Sequence, residues 1–250
     1  MMAERFRPIG MHRVFSLQGV EYLPSDDGWI SAPNSLVAEA MRAAGLVSEM
    51  LWYRQQSVTW ANRPDPAKVP LGTVFTASDI GAEFRTDGQY WHPLNGRALL
   101  SNQLTDITMA LDATEQSLWS FALLPGLVFP GASLEFQFNG EKLGGVADTC
   151  TFRLKINGNT LTNPTLTTTN IALGSTNRFQ RTSATTVRKL GGGGATVLAA
   201  LTSSSTTARV AAILTQDMDA ASNTIQVTGQ MTTGGTEYGV LSGFSCFLVG

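Results

Sequence analysis

The chain has 250 residues, 43% of them hydrophobic, enough for one large domain or a medium domain with small modules. Only 14% are charged and the formal net charge is −2, below the usual charged share of about 25%, so no strong field is expected to steer the chain to nucleic acid. No run approaches the ~18 apolar residues of a membrane helix, and MMAERFRPIGMHRVF at the N-terminus has no apolar signal core, so neither membrane insertion nor secretion is expected.

Residues 1–50 read as a first unit, a hairpin with one short helix laid on it. MHRVFSLQGVEYLP suggests a strand, Ser25-Asp26-Asp27-Gly28 a turn, and Trp29-Ile30 a restarted strand. Asn34 is placed to cap a helix running to about Ala44, with Leu36, Val37, Ala40, Met41 and Ala44 on one face. Gly45 is the expected left-handed stop, with Leu46 packing back on the last turn. Such a unit is too small to bury much area alone, so it should pack on a partner or on a copy of itself.

Residues 51–100 read as a small β module. Arg63-Pro64-Asp65-Pro66 is an extended lead-in that no helix tolerates. Leu71 to Thr76 and Glu83-Phe84-Arg85 read as strands, Asp87-Gly88 as a type I′ hairpin turn, and Tyr90-Trp91 as the start of the return strand.

Residues 101–250 change in composition. Four of the five Trp and both His precede residue 101, and Thr, Ser and Gly dominate after it. Candidate strands are 106–111, 118–123, 133–138, 149–156, 170–173, 186–190, 196–201, 210–214, 224–230 and 238–249. Leu134, Phe136 and Phe138 alternate with polar residues, as do Phe152, Leu154 and Ile156, and this period of two marks strands buried on one face. Asn139-Gly140 and Asn157-Gly158 add hairpin signals. So many short strands, without a helix pattern, predict a jelly-roll-like β-sandwich. The apolar closing strand must be central or covered at an interface. Gly191–Gly194 and Ser203–Thr207 read as loop tips.

Chemistry is sparse. His12 and His92 lie in different N-terminal modules, so the sandwich has no histidine to serve as base or ligand. Leu241-Ser242-Gly243-Phe244-Ser245 lacks the first glycine of a nucleophile elbow and sits in a strand. The run at 191–194 lacks the Lys-Ser/Thr of a phosphate loop, and Asp217-x-Asp219 lacks the rest of a calcium loop. Paired carboxylates are the last enzymatic option; Asp106, Asp112, Glu115, Glu135, Glu141 and Asp148 read mostly as turn or solvent-face residues. Trp119 and Tyr238 fall in alternating patterns and read as core, and Trp60 and Trp91 as packed inside the small module or between modules. Cys150 and Cys246 read as small buried hydrophobes, with a disulfide between them left open. No catalytic, cofactor-binding or metal site is expected, and no cofactor.

Three stretches resemble bacteriophage virion structural proteins of the short fibre or head-decoration type. One is the strand-helix stretch from Tyr22 to Leu46. Another is the 60–100 block, with its Trp60-x-x-Arg63-Pro64, Asp79-Ile80-Gly81 and Thr86-Asp87-Gly88-x-x-Trp91-x-Pro93. The last runs from Asn223 through the closing Leu241–Val249. The resemblance implies a virion-located homotrimer with an N-terminal anchor, contacting capsid, portal-neck or tail proteins, and an outward C-terminal sandwich. It supplies no catalytic residues. The absence of a coiled-coil or triple-β shaft favours a short projection. The alternative expectation is a receptor-binding tail protein whose lectin-like sandwich binds host surface glycan through loops at 139–148, 191–195 and 203–207.

Overall fold

The computed structural model describes residues 4–7, 14–25, 28–109, 113–143, 149–160, 166–169, 177–187, 195–202, 211–216, 223–231 and 238–250. The chain divides into two compact units, Met1–Gly96 and Arg97–Gly250. The expected strand-helix and β modules share the first. Leu99 and Leu100 lie in a strand of the second.

The first unit opens with β1 (Arg5–Arg7), then a hairpin of β2 (Phe15–Leu17) and β3 (Val20–Tyr22), then β4 (Ile30–Ser31). The single strand expected over MHRVFSLQGVEYLP is therefore folded back on itself. Gln18 (φ 52°) and Gly19 (φ 79°) are both left-handed, the type I′ pattern, in a two-residue turn closed by the Leu17–Val20 pair. Helix α1 (Ser35–Ala43) forms where the apolar spacing places it, and Asn34 accepts the Val37 amide at 3.0 Å. Its stop is a Schellman motif. Gly45 at φ 80° donates to the Arg42 carbonyl, and Leu46 donates to the Met41 carbonyl. Phe6, Ile30, Val37, Ala38 and Met41 are buried together, with Phe15, Tyr22 and Leu46 packed partly against them.

Next come β5 (Val47–Ser48), α2 (Glu49–Gln55) and β6 (Ser57–Val58). β1 is flanked antiparallel by β4 and β5. The spacing of Met50, Leu51, Trp52 and Tyr53 does not mark α2 as a helix. Ser48 caps it, accepting the Leu51 amide. A 3-10 turn at Trp60–Asn62 leads to β7 (Val74–Ala77), β8 (Ala82–Thr86) and β9 (Trp91–Pro93), ordered β6-β7-β8-β9. The strand expected from Leu71 starts later, because Pro70 to Thr73 makes a turn and Gly72 is at φ 82°. The β8–β9 turn is also not type I′. Gly88 is at φ 92°, but Gln89 is not left-handed, so the pattern is that of type II′.

The second unit comprises β10 (Arg97–Gln103), β11 (Ile107–Thr108), β12 (Gln116–Leu123), β13 (Ser133–Leu143), β14 (Thr149–Ile156), β15 (Asn159–Thr160), β16 (Leu166–Thr169), β17 (Asn177–Val187), β18 (Ala195–Thr202), β19 (Ala211–Gln216), β20 (Asn223–Met231) and β21 (Tyr238–Val249). No helix occurs among its described residues. The larger sheet runs β10-β21-β13-β17-β18-β19, with β11 also on β21. The smaller runs β12-β20-β14, and β15 and β16 lie along the free side of β14. All pairings in both sheets are antiparallel.

Eight of these strands, β10, β12, β13, β14, β16, β17, β20 and β21, interleave as two Greek keys. The first pairs with the last and the second with the seventh. The last also pairs with the third, and the third with the sixth; the seventh pairs with the fourth, and the fourth with the fifth. This is jelly-roll connectivity, extended at one edge by β18 and β19. The fold is mainly β, as expected. The apolar closing strand β21 is central, between β10 and β13. Leu134, Phe136, Phe244 and Leu248 of the larger sheet and Phe152, Ile156, Ile225 and Val227 of the smaller are buried. The Phe121 ring of β12 lies 6.3 Å from that of Phe244, closing the interior between the sheets.

Asn157 (φ 50°) and Gly158 (φ 77°) make the expected type I′ turn. Asn139-Gly140 does not turn. It lies inside β13, paired on both sides, at a register shift against β21 whose extra residue is Ser242 of β21. Of the strand expected over 106–111, Ile107–Thr108 is strand, and 110 and 111 lie outside the described residues. β10, β15 and β16 have no counterpart among the expected strands, and 170–173 lies outside the described residues.

Candidate functional surfaces

The motif residues of the 60–96 block are used to hold that block together. Trp60 and Trp91 are buried within it, with Phe75 and Phe84. Ring centroids are 4.8 Å apart for Trp60–Phe84 and 4.6 Å for Phe75–Trp91. The Arg63 guanidinium lies 4.5 Å from the centre of the Trp60 ring and donates to the Trp60 carbonyl at 2.8 Å. Asp79 accepts the Trp60 amide at 2.8 Å, and Gly81 at φ 72° completes that turn. Trp91 Nε1 donates to the Pro64 carbonyl, tying the return strand to the Pro-rich lead-in.

At the hairpin tip, Asp87 accepts the amides of Gln89 (2.8 Å) and Tyr90 (2.7 Å) and pairs with His92 Nε2 at 2.9 Å. Partial burial pushes this carboxyl up. The Tyr90 and Gln89 amides, with His92 adding to them, outweigh that and hold its pKa at about 2. Of the two histidines, the one within the described residues thus fastens a turn.

The start of the first unit is built on cations and aromatics. Arg5 grips the buried Glu49 with Nε (2.7 Å to Oε2) and Nη2, a bidentate pair. The Arg7 guanidinium sits 4.8 Å from the Trp29 ring centre and 4.9 Å from that of Trp52. Around this framework the chain leaves large apolar side chains in solvent: Leu36 on α1, Met50 and Leu51 on α2, and Leu71. Of nine such exposed side chains among the described residues, seven belong to the first unit. Sequence reasoning gave Leu36 to the buried face, and the α1 register puts it outside.

In the sandwich, Glu115 lies against the outer face of the smaller sheet. It meets Lys155 at 2.8 Å, Arg153 at 3.4 Å and the Thr228 hydroxyl. Burial pushes its carboxyl up, but Lys155, Thr228 and Arg153 together bring it below the ordinary range. Glu135 lies on the larger sheet and pairs with Arg97 at 3.2 Å. The two carboxylates therefore belong to opposite sheets. Asp112, Asp148, Asp217, Asp219, His12 and the loops at 191–194 and 203–207 lie outside the described residues. Residues 139–143 of the expected 139–148 loop are strand. Ser242 lies within β21. No group of three or more His, Cys, Asp or Glu side chains suited to a metal occurs among the described residues. None of their helices is long and apolar enough to cross a membrane.

Cys150 and Cys246 are both buried thiols, on different sheets, and are not joined in a disulfide. Burial pushes the Cys150 thiol up to about 12 although the Lys142 charge opposes it, and burial raises Cys246 too. Both are inert in the closed sandwich. Trp119, expected in the core, is half-buried, and its Nε1 donates to Ser101 Oγ at 3.3 Å. Tyr238 is likewise only half-buried.

No family model matches this chain, and no curated protein matches it. Among solved structures it is similar to a chain from the structure of infectious bursal disease virus, Gx strain, at 10% identity and a TM-score of 0.28. The match covers 71% of this chain and 40% of that one, so this chain spans under half of that protein's length.

Proposed function

We propose that the chain is a non-enzymatic bacteriophage virion structural protein: a short homotrimeric head fibre or decoration protein, or a head–tail junction fibre. Its N-terminal unit docks on capsid, portal-neck or tail proteins, and its jelly roll projects from the particle. The observation that carries the reading is that the first unit leaves Leu36, Met50, Leu51 and Leu71 exposed; large exposed apolar side chains are candidate protein-docking positions. The motif-rich 60–96 block supports it, since its aromatics, arginine and aspartates are engaged in fastening a small rigid module.

Immunogold labelling of purified particles with antibody against residues 101–250 tests the location. Gold over the capsid or neck is expected. Gold at the distal tail would shift the assignment to the receptor-binding reading, with host glycan binding tested next. Absence of label from particles would sink the proposal. Leu36→Glu and Leu51→Glu should lower incorporation into particles while leaving the folded chain soluble.

A further inference from the structure

The chain has three Asn-Gly pairs, at 95–96, 139–140 and 157–158. Such a pair is a weak point of a polypeptide toward water. The backbone nitrogen of the glycine can attack the side-chain amide carbon of the asparagine, because the glycine carries no Cβ to crowd the approach. That nitrogen gives up its proton to solvent base, the new C–N bond closes a succinimide ring, and the side-chain nitrogen leaves as ammonia. Water then opens the ring at one carbonyl or the other, leaving aspartate or isoaspartate. Each asparagine converted consumes a water and releases an ammonia, and no oxidant, reductant or cofactor enters. The attack needs the side chain and the next peptide to rotate into line, so whatever holds either of them sets the rate.

The fold restrains the pairs in the sandwich. Asn139 and Gly140 lie inside β13, paired with Gln180 and Phe179 of β17 on one side and with Gly243 and Leu241 of β21 on the other, and Gly140 is buried. Turning that peptide would break the ladder on both sides. Asn157 is exposed, but its side chain is clamped. Its Nδ2 donates to Asn223 Oδ1 at 2.7 Å, its Oδ1 accepts the Thr224 amide at 2.7 Å, and its own amide donates to the Thr224 carbonyl at 2.9 Å. Attack at its side-chain carbon would give up both side-chain bonds.

Asn95 is held by none of these. It is exposed, and its side chain has no hydrogen bond among the described residues. The Gly96 N–H makes a turn bond to the Pro93 carbonyl at 3.0 Å. The anchored points lie on either side of the pair: before it the Leu94 amide donates to the Glu83 carbonyl at 2.8 Å, and after it Arg97 pairs with Val249. The turn itself keeps the reactive sequence in place, since Gly96 is at φ 71°, where a side chain would be strained.

We propose that Asn95 is the site at which this protein spontaneously deamidates. Asn95 and Gly96 are the last residues of the first unit, and β10 starts at Arg97. Isoaspartate routes the main chain through the side-chain carbon, so it adds a methylene to the chain just ahead of β10. Either product makes the net charge, formally −2, more negative. The inference goes beyond the proposed function and does not depend on it.

The full chain is aged in mildly alkaline buffer, with and without urea. Conversion at each pair is followed by peptide mass spectrometry with fragmentation that separates aspartate from isoaspartate. In the folded protein Asn95 should convert roughly tenfold or more faster than Asn139 and Asn157. In urea the three rates should draw together, because each asparagine then faces the same unrestrained glycine. Asn95→Gln, whose longer side chain does not close the succinimide, should remove the fast phase of ammonia release while Cys150 and Cys246 stay protected from a thiol reagent. Asn95 converting no faster than the other two in the folded chain would overturn the proposal. So would the same rate order persisting in urea, or a fast phase that survives Asn95→Gln.

Discussion

Met109 plugs the sandwich between two glycines, and this slot can be weighed by a double-mutant cycle. Gly229 lies on β20 and Gly239 on β21, and Met109 is 1% exposed. A Cβ on Gly229 would stand 2.8 Å from both Leu118 Cδ1 and Met109 Sδ, with Met109 Cε nearer still. Carbon atoms settle at about 3.5–4.0 Å, so Gly229→Ala forces a displacement of roughly 1 Å and should cost about 1–3 kcal/mol. Met109→Ala leaves a cavity and should cost about 2–5 kcal/mol. In the double variant the new methyl enters space that Met109 vacated. The sum should then fall short of additivity by about 1–2 kcal/mol, with Leu118 limiting the recovery. Gly239→Ala should be rescued less by Met109→Ala, because its Cβ also strikes Cys150 Sγ. The assay is pulsed thiol labelling across a urea series. Both cysteines are in the sandwich and buried, so labelling reports that unit alone even if the two units unfold separately. Additivity of Gly229→Ala and Met109→Ala within about 0.5 kcal/mol would refute the shared slot.

Thr73 is fully buried, and its Oγ1 has no hydrogen-bond partner among the described residues. Thr73→Val should therefore stabilise the first unit by about 1 kcal/mol in urea unfolding followed by tryptophan emission, and a loss of stability would show that the hydroxyl is satisfied. Gly45 sits at φ 80°, and a Cβ added there would meet nothing within 4 Å; Gly45→Ala should cost about 1–2 kcal/mol from backbone conformation alone, and Gly45→Asn less, as read by thermal melting. For Asp87 the folded pKa, about 2, lies below the unfolded value near 3.9. Its contribution is thus complete above about pH 4 and lost as pH falls toward 2. Being half exposed, it should contribute under about 1 kcal/mol. His92→Ala should raise the Asp87 midpoint only in part, because the backbone donors remain, and an unmoved midpoint in an NMR titration would remove His92 from the account.

Local rules were legible in the chain itself. Asn34 and Gly45 bracket α1 because a side-chain acceptor and a residue without Cβ are what helix ends require. Strands β14 and β21 matched the expected bounds, since period-two alternation and an apolar run need only their own residues to be read. The sandwich class followed from the number of such strands. Tertiary structure decided the rest. Asn139-Gly140 reads as a turn in isolation, but pairing with both β17 and β21 keeps the backbone extended there. α2 forms because Ser48 caps it and Arg5, 44 residues away, neutralises the buried Glu49, and no local pattern encodes that partner. Only the strand order places β21 inside the larger sheet and β12 at an edge of the smaller, because edge and centre are properties of pairing across the chain and not of any segment alone.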